Sequence, residues 1–324
     1  MARALICGVG GQDGAYLARL LLDSGYRVEG TSRDVATRDF AALRELGLEG
    51  RVELHSMTPD NPASVRETLD RAEPDEIYIL SAQSSVSLSF DRPEETRASI
   101  VGAVHCLLEA VRQRGRDERV FHASSSECFG SLPGRPACEQ TPFSPLSPYG
   151  TAKAEAHALV VHYRTAHGLF AANGVMFNHE SPLRPERFVT RKIAAAAARI
   201  AGGSGERLLL GNLEIVRDWG WAPDYVEAMW RMLRAEQPDD YVIATGRSHS
   251  LAEFAAATFA AAGLDWRDHV AVDPALLRPA DLLWSAGRPA RALERLGWRS
   301  TMDFAGIAAA MTRAELARHS SALI

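Results

Sequence analysis

The first half of the chain alternates short apolar runs with longer segments in which apolar residues recur every three or four positions. The short runs have the length and composition of buried β-strands: RALIC, RVEGTS, RVELH, EIYIL, RVFHASS and LFAANGVMF. The longer segments between them have the spacing of amphipathic helices: AYLARLLLDSGY, SVRETLDRA, IVGAVHCLLEAVRQRG and YGTAKAEAHALVVHYRTAHG. This order predicts an α/β fold built on a Rossmann-like, doubly wound parallel sheet.

After residue 177 the alternation loosens. FVTRKIAAAAARIAGG and DYVEAMWRMLRAE are predicted helices, LLLGN is a short strand, and YVIAT is a late strand expected to return to the sheet. From about Ser248 the chain is predicted to be helical. We expect a dinucleotide-binding domain over residues 1–177 with a return segment near 214–245. A smaller, mostly helical substrate domain over 178–324 is interleaved with it.

Composition narrows the function without defining it. A net charge of −5 over 324 residues gives no general attraction to nucleic acid or to an anionic membrane. No apolar run approaches the roughly 20 residues that span a bilayer, and the N-terminus lacks the features of a signal peptide. Four cysteines without metal-ligand spacing predict buried thiols and no metal site: Cys7, Cys106, Cys128 and Cys138. We expect a cytoplasmic protein with no nucleic-acid or membrane partner.

The sequence GVGGQDG follows the first predicted strand and opens the first predicted helix. Gly8, Gly11 and Gly14 suit a sharp turn, the close approach of a pyrophosphate and the packing of helix on strand. The free N–H groups of the helix N-terminus attract phosphates. The turn therefore predicts a dinucleotide cofactor, and a glycine turn without a ligand is the alternative.

The end of the second predicted strand is expected to contact the adenosine ribose of that cofactor. Arg33 suits the 2′-phosphate of NADP, whereas Asp34 would repel that phosphate and suits NAD. NADP is the prediction, and NAD stays open.

Tyr149 and Lys153 are one helical turn apart, so both side chains lie on one face of the predicted helix. We expect the lysine charge to lower the pKa of the phenol, which helps a tyrosine act as a base. The segment SSSE ends the fifth predicted strand, and ligands of open α/β sheets bind at such strand ends. Ser125, Ser126 and Glu127 are therefore predicted to lie beside the nicotinamide.

Glu127 distinguishes two kinds of enzyme. Tyr149, Lys153 and a serine suffice to oxidise an alcohol by hydride transfer, whereas an added carboxylate can remove an acidified proton and protonate a departing hydroxyl. The set predicts a dehydratase that regenerates its own cofactor. Two alternatives stay open here: a dinucleotide-sensing protein without catalysis, and a capping role for Glu127.

Residues 177–192, FNHESPLRPERFVTRK, have few apolar residues and two prolines, which is typical of a solvated loop. This loop follows the sixth predicted strand at the edge of the sheet that binds ligands. We expect Phe177, Asn178 and His179 to cover the nicotinamide. Arg184, Thr190 and Lys192 are expected to donate to a ribose or a diphosphate.

At these residues the chain resembles the extended short-chain dehydrogenase/reductase superfamily and, within it, the GDP-mannose 4,6-dehydratase family. The resemblance covers nearly the whole chain and is carried by GQDGAYLA, SSSECFG, SPYGTAK, FNHESP, FVTRKI, RDWG and DYVEAMW. It implies a lyase that converts GDP-mannose to GDP-4-keto-6-deoxy-D-mannose with tightly bound NADP. It also implies a homodimer or homotetramer. A 4-reductase or epimerase on a related nucleotide sugar stays open as the alternative.

The resemblance implies roles for individual residues. The implied catalytic residues are Ser125, Glu127, Tyr149 and Lys153. The implied cofactor contacts are Gly8, Gly11, Gln12, Asp13, Gly14, Arg33, Ser81, Gln83, Tyr149, Lys153, His179 and Arg184. The implied contacts of GDP-mannose or a related nucleotide sugar are Ser85, Glu127, Asn178, Val189, Lys192, Gly211, Arg217, Arg278 and Asp281.

The chain departs from the family pattern at a few positions. The family carries two adjacent arginines after the second strand, where this chain has Arg33 and Asp34. The other departures are Ser56, Leu146, Pro185 and Trp221. They leave the cofactor, the sugar and the choice between dimer and tetramer open, and they leave the implied chemistry unchanged.

Overall fold

The computed structural model describes residues 1–277 and 282–322. The strands are β1 (Arg3–Cys7), β2 (Arg27–Ser32), β3 (Glu53–Ser56), β4 (Glu76–Ile79), β5 (Arg119–Ser125), β6 (Phe170–Met176), β7 (Asn178–Glu180), β8 (Leu208–Leu210), β9 (Val216–Arg217), β10 (Trp219–Trp221), β11 (Asp240–Ile243), β12 (His249–Ser250), β13 (Val270–Val272) and β14 (Trp284–Ser285). The helices are α1 (Gln12–Asp23), α2 (Ala41–Glu45), α3 (Pro62–Ala72), α4 (Val86–Asp91), α5 (Pro93–Arg97), α6 (Ala103–Arg114), α7 (Pro148–His167), α8 (Val189–Ala201), α9 (Ala222–Leu233), α10 (Leu251–Ala261), α11 (Trp266–His269), α12 (Ala290–Leu296) and α13 (Phe304–Ala322).

Seven parallel strands form the central sheet in the order β3-β2-β1-β4-β5-β6-β11. Alternate residues of β1 face opposite apolar clusters, as the two-residue period of a strand requires. Ala4 and Ile6 pack with α1 and α9, whereas Leu5 and Cys7 pack with α3, α6 and α7. Helices therefore cover both faces, and the predicted doubly wound sheet is confirmed.

The late strand YVIAT returns to this sheet, because β11 pairs with β6 along its whole length. Its preceding helix, α9, packs against α1 in the same apolar cluster. A separate cluster joins α8, α10 and α13 with β8 and β10. The cleft described below lies between this second lobe and the carboxyl ends of the central strands.

The sequence-based predictions were wrong in four places. Residues 178–180 are not loop but the buried strand β7, which pairs with β10. The helical segment predicted to begin at Ile100 begins at Pro93 and passes through a π-helical turn over Ala98–Gly102. The region after Ser248 contains three short strands besides its helices. All four cysteines are free thiols, but Cys106 and Cys138 are only half-buried.

Within the described ranges, no helix combines the length and the apolarity needed to cross a membrane.

Candidate active site

The backbone around the glycine turn after β1 leaves no room for a side chain on Gly8 or Gly14. Gly8 has φ +93, and a Cβ there would lie 2.9 Å from the backbone nitrogen of Ser81. A Cβ on Gly14 would lie 2.6 Å from the carbonyl oxygen of Gly8. Among the described residues the buried Ser81 hydroxyl has no hydrogen-bond partner. An open backbone cradle beside an unsatisfied hydroxyl fits a bound dinucleotide.

The first turn of α1 is connected to β7 by a buried polar network. Gln12 Nε2 donates to the carbonyl oxygen of His179 at 3.1 Å, and Ser181 Oγ donates to Gln12 Oε1 at 2.8 Å. His179 Nε2 lies 2.9 Å from Asp13 Oδ2. Burial disfavours the imidazolium, but the Asp13 carboxylate outweighs it and raises the pKa of His179. Burial likewise disfavours the carboxylate, yet His179 holds the pKa of Asp13 at about 2.

The loop after β2 has an arrangement that the sequence did not reveal. The Asp34 carboxylate is occupied within its own turn, where it accepts from the Ala36 amide at 2.9 Å and from the Thr37 hydroxyl at 2.7 Å. Arg33 is exposed and forms no ion pair with the described residues. Arg38 folds back onto the glycine turn, and its guanidinium donates to the Gly10 carbonyl at 3.4 Å.

The four predicted catalytic residues line one cleft. Ser125 ends β5, and its hydroxyl accepts from the Glu127 amide at 3.2 Å, which fixes the 3₁₀ turn Ser126–Phe129. Tyr149 and Lys153 lie in the first turns of α7, whose N-terminus is capped by the Ser147 hydroxyl at 3.0 Å from the Gly150 amide. Two local caps therefore position the four side chains at the strand ends.

The expected electrostatic effect of Lys153 on Tyr149 does not dominate here. Burial raises the pKa of Tyr149, opposed by a hydrogen bond with Ser125. Lys153 Nζ lies 6.0 Å from the centre of the Tyr149 ring and donates instead to the carbonyl oxygen of Ala123 at 2.7 Å. Burial lowers the pKa of Lys153 to about 8. The prediction of a lowered tyrosine pKa is therefore wrong for this structure, because desolvation outweighs a charge that points elsewhere.

A network of polar side chains binds Ser124, which lies next to Ser125 at the end of β5. His157 Nδ1 lies 3.2 Å from Ser124 Oγ, and its Nε2 lies 3.3 Å from Asp240. Arg164 binds the same aspartate with two hydrogen bonds of 2.9 and 3.0 Å. Asp240 opens β11, so the returning strand stabilises the end of β5.

The cleft has a volume of about 720 Å³. The predicted site residues in its lining are Asp13, Ser85, Ser125, Glu127, Tyr149, Lys153, Asn178, His179, Arg184, Val189, Lys192, Gly211 and Arg217. The predicted residues outside that lining surround the glycine turn and the ends of β2 and β4: Gly8, Gly11, Gln12, Gly14, Arg33, Ser81 and Gln83. Arg278 and Asp281 lie outside the described residues.

Several hydrogen-bond donors of the segment 177–192 already bind other groups of the protein. The Thr190 hydroxyl donates to the buried Glu180 carboxylate at 2.6 Å, so the expectation that it would bind a ribose or diphosphate is wrong. Arg184 pairs with the same carboxylate at 3.3 Å. Lys192 Nζ donates to the carbonyl oxygen of Leu209 at 2.8 Å, at the rim of the cleft.

Sequence reasoning also missed residues that line the cleft. Arg187 and Phe188 line the cleft but belong to the segment predicted to be a polar loop. Asn212, Ile215 and Leu276 also line it and belong to no sequence motif. The sequence does contain a signal for Arg187, because Arg184, Arg187 and Arg191 place three arginines within eight positions. Asn212, Ile215 and Leu276 reach the cleft only through the packing of the second lobe.

One group of potential metal ligands lies far from this chemistry. Glu29, Glu53 and His55 have ligand atoms within 4.8 Å of one another. The guanidinium of Arg27 lies 3.1 Å from Glu29 and 2.6 Å from Glu53, so both carboxylates already pair with a cation.

A parallel sheet with a glycine turn after β1, a serine at the end of β5 and a Tyr–Lys pair on α7 defines an extended short-chain dehydrogenase/reductase. A family model described as GDP-mannose 4,6 dehydratase matches residues 5–311. The chain belongs to the GDP-mannose 4,6-dehydratase family. GDP-mannose 4,6 dehydratase 1 of Arabidopsis thaliana is 44% identical over 311 residues, covering 93% of this chain and 86% of that relative.

Solved structures with the same fold are similar over almost the full length. UDP-glucose 4-epimerase of Thermus thermophilus, in complex with NAD, has a TM-score of 0.85 at 25% identity and covers 97% of this chain and 98% of its own. RMD from Pseudomonas aeruginosa, complexed with NADPH, has a TM-score of 0.80 at 21% identity, with coverages of 98% and 99%.

Proposed function

We propose that the protein dehydrates GDP-mannose to GDP-4-keto-6-deoxy-D-mannose, with NADP as its nicotinamide cofactor. The observation that carries the proposal is Glu127, which lines the same cleft as Ser125, Tyr149 and Lys153. Oxidation and reduction alone require only the last three residues. The family and the printed name of the Arabidopsis relative support GDP-mannose as the substrate.

The glycine turn, Ser81 and the first turn of α1 would hold the cofactor, which would supply the acceptor of a hydride from sugar carbon 4 and its donor to carbon 6. Tyr149 takes the proton of the 4-hydroxyl group, and Ser125 donates a hydrogen bond to the same oxygen. Lys153, whose pKa is lowered to about 8 by burial, stabilises the phenolate form in which Tyr149 accepts that proton, once its ammonium turns from Ala123.

The new 4-keto group acidifies the proton on carbon 5. Glu127 removes that proton and protonates the hydroxyl that leaves carbon 6, so the carbon–oxygen bond breaks and one water forms. A proton from Tyr149 returns to carbon 5 when carbon 6 has been reduced. The sugar has then lost one water, and its net oxidation state is unchanged.

NADP is proposed over NAD because Arg33 is exposed after β2, where a guanidinium suits a 2′-phosphate. Hydrogen bonds from Thr37 and Ala36 lower the pKa of Asp34, so its carboxylate stays ionised, but they hold it within its own turn. Solved relatives of the same fold bind NAD in one case and NADPH in another, so a nicotinamide cofactor is common to both. A homodimer or homotetramer and a cytoplasmic location remain predictions from the sequence.

The test is incubation of the purified protein with GDP-mannose and a catalytic amount of NAD or NADP, in separate reactions with no other oxidant. We expect a product lighter than GDP-mannose by one water, which mass spectrometry would detect. Unchanged GDP-mannose with both cofactors would contradict the proposal. A 4-epimer of unchanged mass would favour the epimerase alternative.

Glu127→Gln separates dehydration from simple redox chemistry. The amide keeps the shape but cannot exchange protons, so we expect dehydration to fall by about 10²- to 10⁴-fold. Glu67→Gln, an exposed carboxylate on α3, is the matched control. Full dehydration by Glu127→Gln would assign that residue a capping role.

A further inference from the structure

The face of α7 that carries Tyr149 and Lys153 continues for another turn to His157. The three residues follow one another at intervals of four, so their side chains lie in one row along the helix. Lys153 and His157 are only 7% and 8% exposed, and α7 packs here against β5. A polar side chain buried in this way requires partners, because an unsatisfied polar group is costly in the interior.

The end of β5 supplies those partners from two consecutive residues. Lys153 Nζ donates to the carbonyl oxygen of Ala123 at 2.7 Å, and His157 Nδ1 lies 3.2 Å from Ser124 Oγ. The next residue is Ser125, which ends the strand and lines the cleft. The helix with the Tyr–Lys pair therefore also holds the backbone that carries the catalytic serine.

Asp240 determines how the His157 ring is oriented. Asp240 Oδ2 lies 3.3 Å from His157 Nε2. The same carboxylate is held in place by two hydrogen bonds from Arg164 and by one of 3.0 Å from Asn173. A carboxylate only accepts hydrogen bonds, so the hydrogen of the neutral ring lies on Nε2, and Nδ1 accepts from the Ser124 hydroxyl.

Packing fixes the same ring from a second direction. Phe143 contacts it edge to face, with ring centroids 4.9 Å apart. The backbone carbonyl of His157 also accepts from Asn173 Nδ2 at 3.3 Å. Turning the ring away from Ser124 would therefore disturb contacts on its edge and on its face.

We propose that His157 is a positioning residue for the redox step: oriented by Asp240, it holds Ser124 and thereby sets where Ser125 meets the 4-oxygen of the sugar. The inference rests on the proposed function, in which Ser125 donates to that oxygen. It extends the function to His157 and Asp240, which lie outside the lining of the cleft. A displacement of about 1 Å at a reacting group lowers a rate by up to about 100-fold, so this contact controls the rate without touching the sugar.

The test is a double-mutant cycle on the full-length protein, with GDP-mannose and a catalytic amount of NADP. His157→Phe keeps an aromatic ring against Phe143 but removes both nitrogens, and Ser124→Ala removes the hydroxyl. We expect each change to lower kcat by about 10- to 100-fold, with the KM for GDP-mannose and the affinity for NADP within about threefold of the parent. The double variant should be no slower than the slower single variant, because both changes break one contact.

Two further variants serve as controls. Ser124→Thr keeps the hydroxyl and should retain kcat within about threefold of the parent. His162→Phe makes the same substitution at an exposed position of α7 and should leave kcat unchanged. The inference would be overturned by an unchanged kcat in both single variants, by losses that multiply in the double variant, or by an equal loss in Ser124→Thr.

Hydrogen exchange separates the inference from the proposed function, because it is measured without substrate. The Glu127 amide donates to the Ser125 hydroxyl at 3.2 Å, so its exchange reports how the end of β5 is held. His157→Phe and Ser124→Ala should each speed this exchange by about five- to tenfold, and unchanged exchange in both would contradict the inference. A parent that leaves GDP-mannose unchanged contradicts only the proposed function, and the exchange rates then decide. If thermal melting shows that His157→Phe is unfolded, Ser124→Ala decides, since it is the smaller change.

Discussion

The two sides of the cleft are built by different means. On the cofactor side, the backbone defines the site: glycines that exclude side chains, and a strand end and a helix start fixed by local caps. On the substrate side, side chains of α8 bind the short strands, as Lys192 does at the Leu209 carbonyl and Thr190 at the Glu180 carboxylate. The first kind of site depends on local sequence, and the second on the packing of the second lobe.

The largest effect on either side of the cleft is expected for Tyr149→Phe. The ring would keep its packing at the start of α7, but the proton acceptor would be lost. We expect formation of the keto sugar to fall by about 10³-fold, within the usual range for loss of a general acid or base. Binding of NADP, measured by calorimetry, should remain within about threefold of the parent. Substantial turnover by this variant would remove Tyr149 from the chemistry.

The backbone cradle can be tested by a pair of alanines. A Cβ on Gly14 would lie 2.6 Å from the Gly8 carbonyl, whereas a Cβ on Gly11 would lie 3.5 Å from the same atom. We expect Gly14→Ala to lower the free energy of unfolding by about 2–3 kcal/mol and Gly11→Ala by less than about 1 kcal/mol. Equal losses in chemical denaturation would show that the cradle is not set by close contact.

The substrate side is tested by two neighbouring residues with different roles. Thr190→Val removes the donor to the buried Glu180, so we expect a loss of about 1–3 kcal/mol of stability and an unchanged KM for GDP-mannose. Lys192→Met should show the reverse, a KM raised by about tenfold with little change in thermal stability. A raised KM in Thr190→Val would restore the role that the sequence suggested for this residue.

The smallest effect is expected at the ion pair between Asp13 and His179, which connects the two sides of the cleft. The pKa of His179 is raised in the folded protein. Its contribution to the free energy of unfolding is therefore fully present below the ordinary histidine pKa of about 6.5, and it is lost as the pH rises through the pKa of the folded protein. The Asp13 pKa is lowered to about 2, so its part is lost only as the pH falls toward that value. Asp13→Asn should therefore cost about 1–2 kcal/mol at pH 6 and less than half of that at pH 9, by thermal melting. An equal cost at both pH values would contradict the ion pair.

The comparison also explains which features could be predicted. The strands from β1 to β6 carry their own apolar patterns, so their existence and order followed from the sequence. The return of β11 could be predicted because YVIA is a continuous apolar run. β7 was missed because Asn, His and Glu have low strand propensity, and their burial depends on a partner strand forty residues later. The direction of the Tyr149 pKa could not be predicted, since it is set by the depth of burial.

The return of β11 has a consequence for how the chain must fold. A fragment ending at residue 177 would leave β6 as an open edge with unpaired backbone groups, and it would lack the α9 side chains that complete the cluster around α1. Such an edge recruits strands from other molecules and favours aggregation. The second lobe is therefore not an appendage that can be exchanged, because the chain must traverse it before the first sheet can be finished.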